Sequence, residues 1–288
     1  MQTIFDFDEK SLQEIPVVYL DTETTGLYPA LGHRVIELGA VRLEGGKKVG
    51  EFQTLLNPER PIEKRASKIN HIYDQDVIDS PKFRDIAPAL SEFIDGALLI
   101  AHNAVFDAGF VGQEYQLINP NLQVDSLPLP NPWLCTFKLA RQYFSFGRNN
   151  LAYIAHSLGI RVGQTHRALS DVLLTWHVFK RMAIELEKKY KFKTVGDLLF
   201  AQGEPIYTPP VIAIDLPDLL AQGLSNREDL IIRYYGEKEI TRRRVTPLYS
   251  TRHESDTYYI AYCHLRQEQR TFRVERILSA EVAPRCRG

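Results

Sequence analysis

Val17-Val18-Tyr19-Leu20-Asp21-Thr22-Glu23-Thr24-Thr25-Gly26 is the stretch on which the reading of this 288-residue chain depends. Residues 16–20 form a short apolar, β-rich run, the signature of a buried strand. Asp21 and Glu23 follow two positions apart at its end, so their side chains leave on one face. Two carboxylates on one face repel each other, and desolvation adds to the cost unless a cation sits between them. Two later blocks carry the same kind of chemistry: His102-Asn103-Ala104-Val105-Phe106-Asp107 and His166-Arg167-Ala168-Leu169-Ser170-Asp171.

Outward from the first block, Val35-Ile36-Glu37-Leu38-Gly39-Ala40-Val41-Arg42-Leu43 reads as a second strand, ended by the hairpin signal Glu44-Gly45-Gly46. Residues 48–56 alternate as its partner, making three antiparallel strands on one side of a mixed sheet. Phe83, Ile86, Leu90, Phe93 and Ile94 recur at helical spacing. Ala97-Leu98-Leu99-Ile100-Ala101 is then a buried strand that delivers the second block, with a helix over 106–117. Short helices are expected over 133–143 and 151–158, the latter started at Asn149-Asn150 and stopped at Gly159. A long helix runs from about 168 to 189, its inner face marked by Leu169, Val172, Leu173, Trp176, Phe179, Met182, Ala183 and Leu186. Asp107 thus opens one helix and Asp171 lies in the first turns of another, where the helix dipole favours an anion.

Asp21, Glu23, Asp107 and Asp171 together would be too negative to persist without cations. Their hard oxygens suit Mg²⁺ or Mn²⁺. Two such ions about 4 Å apart stabilise the attacking and leaving oxygens of an in-line displacement at phosphorus. Histidine is the side chain suited to proton transfer near neutral pH, so His166 is the group to accept the proton of attacking water. Thr22, Thr24, Thr25 and Gly26 fit a tight turn whose backbone N–H groups hold a terminal nucleotide, Gly26 leaving room for its approach. A lone Asp-x-Glu at a strand end is ordinarily a solvated edge, and a lone histidine before a helix ordinarily a surface residue. The three blocks in order, each beside a strand or helix end, are what changes that reading. His102, His71, His156 and His177 are left as core or surface histidines.

Composition bounds the rest. Apolar content of 44% and charged content of 25% are those of an ordinary globular protein long enough for two domains. No apolar run approaches the ~20 residues of a membrane helix, and the acidic start lacks the basic region of a secretory signal. Cys135, Cys263 and Cys286 are too far apart for a metal-ligand pair or a disulfide framework, which suits reduced thiols in the cytoplasm. The net charge of −1 conceals an asymmetry: residues 222–288 hold 13 Lys/Arg against 9 Asp/Glu, leaving 22 against 27 in the remainder. Arg-rich segments usually coat a solvated surface, but this one is also consistent with a nucleic-acid partner.

Asp21-Thr22-Glu23-Thr24-Thr25-Gly26, followed by His33-Arg34-Val35-Ile36-Glu37-Leu38-Gly39-Ala40-Val41, resembles the first motif of the DEDDh exonucleases. His102-Asn103-Ala104-Val105-Phe106-Asp107-Ala108-Gly109-Phe110 resembles the second, and His166-Arg167-Ala168-Leu169-Ser170-Asp171-Val172 the third. The resemblance covers about residues 16–189. It implies a ribonuclease H-like fold and 3′→5′ removal of nucleotides. Asp21, Glu23, Asp107 and Asp171 would bind two metal ions, with His166 as general base. It also implies that Leu27 packs on the terminal base and that Ile69 and Asn70 fall where the family wedges apart the last two bases. Asn70 stands where the family's proofreading subunit has a histidine. Phe106 is a further candidate to face substrate.

Tyr258-Tyr259-Ile260-Ala261-Tyr262-Cys263, then Arg270-Thr271-Phe272-Arg273-Val274-Glu275-Arg276-Ile277, resembles a WYL domain, with Arg243-Arg244-Val245-Thr246-Pro247-Leu248 as the preceding strand. Four strand-like runs lie at 230–235, 240–249, 257–265 and 270–278. The resemblance implies a small Sm-like β-barrel that binds nucleic acid or a nucleotide-type ligand. Tyr235, Arg243, Arg270 and Arg276 are the candidates, since guanidiniums beside phenol rings suit phosphates and stacked bases.

The expected protein is α/β: a leader over 1–15, a ribonuclease H-like mixed-sheet exonuclease domain over 16–190, a linker over 191–210 and an all-β Sm-like barrel over 211–288. The expected activity is metal-dependent removal of nucleotides from single-stranded DNA 3′ ends. An RNA trimmer of the same fold and a ligand-sensing regulator built on a nuclease scaffold are the alternatives. A polymerase proofreading subunit would want a polymerase-binding tail where the barrel stands.

Overall fold

The computed structural model describes residues 6–163, 165–237 and 239–284. The first five residues of the expected leader and Cys286 lie outside them. Two compact units divide the chain. The first is made of Met1–Thr25, Val35–Pro58 and Ile62–Val211, the second of Gly26–Arg34, Glu59–Pro61 and Ile212–Gly288.

In the first unit, strands β1 (Val17–Thr24), β2 (Val35–Glu44), β3 (Lys47–Leu55), β4 (Leu98–Ala101) and β5 (Trp133–Cys135) form one sheet in the order β3-β2-β1-β4-β5. The first three are antiparallel and joined in sequence; β4 runs parallel to β1, and β5 parallel to β4. Gly45 and Gly46 both adopt positive φ, +58° and +73°, as a tight hairpin with the twist of its strands requires. Among the described residues eight helices accompany the sheet: α1 (Lys64–Asn70), α2 (Asp74–Val77), α3 (Phe83–Ile94), α4 (Ala104–Ile118), α5 (Thr136–Tyr143), α6 (Leu151–Ser157), α7 (Ala168–Tyr190) and α8 (Val195–Ala201).

The period-2 alternation of β1 sorts its side chains between two cores. Val17 and Tyr19 pack with residues of α5, α6, α7 and α8 on one face. Val18 and Leu20 pack with α3 and α4 on the other. Asp21 and Glu23 continue the α7 face, and Thr22 the α4 face. Burial of each large apolar side chain contributes about 1.5–3 kcal/mol, which offsets the ordering of a strand that carries mutually repelling acids.

Three expectations change in this unit. Residues 133–135 are a strand, not the start of a helix. A three-residue apolar run has no readable period, and pairing with β4 decides it. The stretch read as a linker contains α8, opened by a capping box between Thr194 and Asp197, with Val195, Leu198 and Ala201 in the core. Phe7 and Ile15 of the expected leader enter the same core. The Val195 and Gly196 N–H groups donate to the carbonyls of Lys10 and Asp8, so the two stretches secure each other.

The second unit contains α9 (Asp218–Asn226) and strands β6 (Leu230–Tyr235), β7 (Ile240–His253), β8 (Asp256–Cys263), β9 (Glu268–Arg273) and β10 (Ile277–Val282). They form an antiparallel sheet in the order β10-β6-β7-β8-β9. The expected fourth run is therefore two strands, broken by a 3₁₀ turn at Val274–Arg276. Among the described residues no ladder joins the end strands β9 and β10, so the structure shows a five-stranded sheet rather than a closed barrel. Tyr259 is fully buried and its hydroxyl donates to the Leu220 carbonyl at 3.0 Å, tying α9 to the sheet. Among the described residues no helix is long and apolar enough to cross a membrane.

Candidate active site

The five expected chemical groups collect at the C-terminal end of β1. Glu23, His166 and Asp171 each offer a ligand atom, and those atoms lie within 4.8 Å of one another. Asp107, in the first turn of α4, is nearly inaccessible; its Oδ1 accepts both the Thr22 N–H at 3.0 Å and the Thr22 hydroxyl at 2.8 Å. Asp171, in the first turn of α7, accepts the His166 N–H at 2.9 Å. That bond holds His166 in the left-handed region, φ +61°, from which its exposed imidazole leads into α7.

The charges on these groups report on one another. Burial pushes Asp21 well above the usual carboxylate range, reinforced by the charges of Asp107, Glu23, Asp171 and Glu37. Burial, then Asp171, Glu37 and Asp107, push Glu23 up to about 8, against a hydrogen bond from Asn70. Burial takes Asp107 to about 7 despite its bonds to Thr22, and raises Asp171 as well. Four acids destabilised in their ionised form and built of hard oxygens fit a divalent-cation site.

This has a measurable consequence. Folded pKa values above the unfolded ones give stability that is complete below about pH 4 and is lost as pH rises through 7 and 8. In EDTA the melting temperature is expected to fall by several degrees between pH 5 and pH 9, at about 2–4 °C per kcal/mol. Millimolar Mg²⁺, which binds the ionised cluster, should remove most of the fall. Parallel curves with and without Mg²⁺ would contradict a shared cation site.

Two features that sequence reasoning missed place α7. Gly39 is the antiparallel partner of Asp21. A Cβ there would sit 2.5 Å from the Leu169 nitrogen and 2.6 Å from the Ala168 carbonyl carbon, so the start of α7 lies directly on β2. Glu37, the partner of Glu23, is wholly buried. It accepts from Arg167 Nε and Nη2 at 3.0 and 2.9 Å, Ala168 N at 3.1 Å and Gln53 Nε2 at 3.1 Å. Burial works to raise this carboxyl, but the Arg167 fork, the Ala168 N–H and the Gln53 amide hold it below the usual range. The available signal was a charge inside the apolar run 35–41, which needs a partner when buried. Glu37→Gln leaves the guanidinium without its counter-charge. A loss of about 2 kcal/mol in urea unfolding is expected, discounted for the partial exposure of Arg167. A change below about 0.5 kcal/mol would show that the pair does not hold α7.

The expected substrate contacts divide. Thr22 is not in a turn but inside β1, and its hydroxyl is committed to Asp107. Thr24 is buried and Thr25 wholly so, its carbonyl accepting the Glu63 N–H. Asn70 is buried at the end of α1; its amide lies 3.5 Å from the Thr24 carbonyl and bonds Glu23, beside the acids rather than out on a wedge. Ile69 and Leu27 are exposed. Phe106 is half-buried against Phe110, ring centroids 4.8 Å apart. His102, left out of the site, is structural: its ring nitrogens bond the Thr136 hydroxyl and the Asn149 carbonyl.

In the second unit, Arg243, Arg270 and Arg276 line a cavity of about 440 Å³ together with Tyr234, Thr271 and Phe272, and Glu237 and Glu239 line it as well. Tyr235 does not line it. Strand alternation gives that place to Tyr234, whose ring packs edge-on against Phe272.

A mixed sheet in the order β3-β2-β1-β4-β5, with acids and a histidine at the end of its central strand, is a ribonuclease H-like fold. The exonuclease family model matches residues 18–179, and a WYL domain model matches residues 215–282. The chain belongs to this exonuclease family and carries a WYL domain after it, as the DEDDh and WYL resemblances implied. It is similar to the DNA polymerase III subunit epsilon-like protein of Rhodobacter capsulatus, 34% identical over 204 residues, which are 65% of this chain and 28% of that protein. The chain thus spans under a third of that relative. It is also similar to the DNA polymerase III subunit epsilon of Buchnera aphidicola subsp. Schizaphis graminum, 37% identical over 185 residues, 62% of this chain and 75% of that one. Among solved structures it resembles exonuclease X in complex with 5′ overhanging duplex DNA. The TM-score is 0.50 and the identity 27%, over 65% of this chain and 99% of that one.

Proposed function

We propose that this chain is a divalent-metal-dependent 3′→5′ exonuclease acting on single-stranded DNA ends. The observation that carries the reading is the convergence of Glu23, His166 and Asp171 within 4.8 Å, in electrostatic reach of Asp21 and Asp107. Two Mg²⁺ or Mn²⁺ ions held by the four carboxylates would supply charge stabilisation at phosphorus and an acidic bound water. Each side chain has its own task. His166 accepts the proton of the attacking water on an imidazole nitrogen, from an exposed loop end that solvent can relieve of it. Asp171 fixes that loop through the His166 N–H, Thr22 fixes Asp107, and Asn70 fixes Glu23. Leu27, Ile69 and Phe106 are assigned to the terminal bases; Gly26 is not, because the His33 ring fills the place of its missing side chain, 2.3 Å from where a Cβ would sit.

The WYL domain is assigned to nucleic acid or a nucleotide-type ligand, held by Arg243, Arg270 and Arg276 with Tyr234 as the stacking ring in place of Tyr235. Buried free thiols at Cys135 and Cys263 suit a reducing cytoplasm. Support also comes from relatives that are themselves polymerase III epsilon subunits and from the likeness to a DNA-bound exonuclease.

The test is one assay. End-labelled single-stranded DNA and RNA are each incubated with Mg²⁺, Mn²⁺ or EDTA. DNA shortened from the 3′ end in either metal but not in EDTA is the expected result. Faster digestion of RNA would make the chain an exoribonuclease. Binding without digestion under every condition would favour a ligand-sensing regulator.

A further inference from the structure

The second unit contains a segment far from it in sequence. Gly26–Arg34, the connection between β1 and β2, groups with the WYL domain and not with the strands it joins. Three successive carbonyls of this loop each receive a side-chain donor from the domain's sheet. Thr251 Oγ1 donates to Ala30 at 2.6 Å, Thr271 Oγ1 to Leu31 at 2.6 Å, and Gln269 Nε2 to Gly32 at 3.1 Å. Arg60 also donates to the Gly32 carbonyl, and the Tyr28 ring packs on His253 with centroids 4.9 Å apart. Gly32 takes φ +83°, and a Cβ there would meet the Gln269 amide at 3.0 Å. Thr251 and Gln269 are buried polar side chains, and these carbonyls are their partners. Ordinary packing does not explain three donors from two strands, β7 and β9, spaced to meet consecutive carbonyls of one turn.

While residues 30–32 are held, Leu27 remains 57% exposed. It is four positions beyond Glu23 along the chain. We infer that Thr251, Gln269 and Thr271 are positioning residues for the exonuclease reaction: the WYL domain holds the β1–β2 connection so that Leu27 meets the 3′-terminal base in one conformation. This rests on the exonuclease reading above, and it makes the C-terminal domain part of substrate recognition rather than an appended tether.

The experiment uses the full chain carrying Thr251→Val and Thr271→Val, which remove both hydroxyl donors at nearly constant volume. KM for a single-stranded oligonucleotide should rise about tenfold with kcat changed less than twofold, because holding the loop affects binding and leaves the acids in place. Amides of residues 27–33 should exchange faster with deuterium, and Thr→Ser at both positions should restore KM and exchange. In a cycle, Leu27→Ala should raise KM in the wild-type background but add little to the double variant. The single Thr251→Val chain, whose hydroxyl lies outside the arginine-lined cavity, serves if the double variant does not fold, with the same direction expected. Unchanged KM and exchange, a fall in kcat without change in KM, or no rescue by serine would each overturn the inference. Wild type that digests 3′ ends while the variants keep its KM defeats this inference alone. Wild type that digests nothing defeats the exonuclease reading and this inference together.

Discussion

Asp21→Asn should lower metal-dependent digestion by roughly 10³-fold and at the same time make the metal-free protein more stable. Asparagine keeps the shape and removes the charge. The expected rate loss corresponds to about 4 kcal/mol of transition-state stabilisation, the scale of a lost metal contact at a developing phosphorane charge. The stability gain follows from what surrounds the group: burial and the charges of Asp107, Glu23, Asp171 and Glu37 all disfavour its ionised form. With that repulsion gone, the EDTA-treated variant should melt several degrees above wild type at pH 8, and Mg²⁺ should narrow the gap. Opposite signs for activity and stability mark a group kept for chemistry. Initial rates and calorimetry on the same preparation decide it. A rate loss under tenfold, or a variant less stable than wild type in EDTA, would remove Asp21 from the reacting centre.

Gly39→Ala is expected to act through geometry alone. The added methyl meets backbone atoms of Ala168 and Leu169, which cannot swing aside as the end of a flexible side chain would. The start of α7 must shift, and with it His166 and Asp171 on either side of the contact. A displacement near 1 Å is enough for a loss of about 10²-fold in kcat. Overpacking of this kind costs about 1–3 kcal/mol of stability, so the chain still folds. Binding of a metal-free oligonucleotide complex should stay within about threefold of wild type, since the altered element carries the proton acceptor rather than the base contacts. Wild-type kcat in this variant would mean that the seat of α7 on β2 does not place the histidine.

The sequence was readable wherever the physics is local. Alternation over 16–20 with a carboxylate pair at its end foretold which face of β1 the acids leave. The Glu44-Gly45-Gly46 turn foretold the hairpin, and the apolar spacing from Leu169 to Leu186 foretold α7 almost to its ends. Asn150 caps α6 through the Tyr153 N–H as its position before Leu151 suggested. What escaped depends on residues distant along the chain. Glu37 and Arg167 are 130 positions apart, and neither is unusual alone. Gly39 looks like any glycine in a strand until the helix that presses on it is in place. The seven residues of α8 are too few to declare a period, although the Thr194–Asp197 capping box was there to be noticed. Thr22 was assigned to substrate as part of a tight turn with Thr24, Thr25 and Gly26; strand alternation, applied strictly, keeps it in β1 and sends it to the opposite face, where Asp107 waits.

The grip on residues 30–32 also bears on how the molecule is made. Ala30, Leu31 and Gly32 leave the ribosome 221, 240 and 237 residues ahead of the side chains that bind their carbonyls. At about 5–20 residues per second that interval is roughly 10–50 s. Throughout it, water must solvate those carbonyls while the nascent β1–β2 connection is still unanchored. A nascent chain stalled before residue 251 should therefore be nicked by protease between 26 and 34, and the released full-length chain should resist.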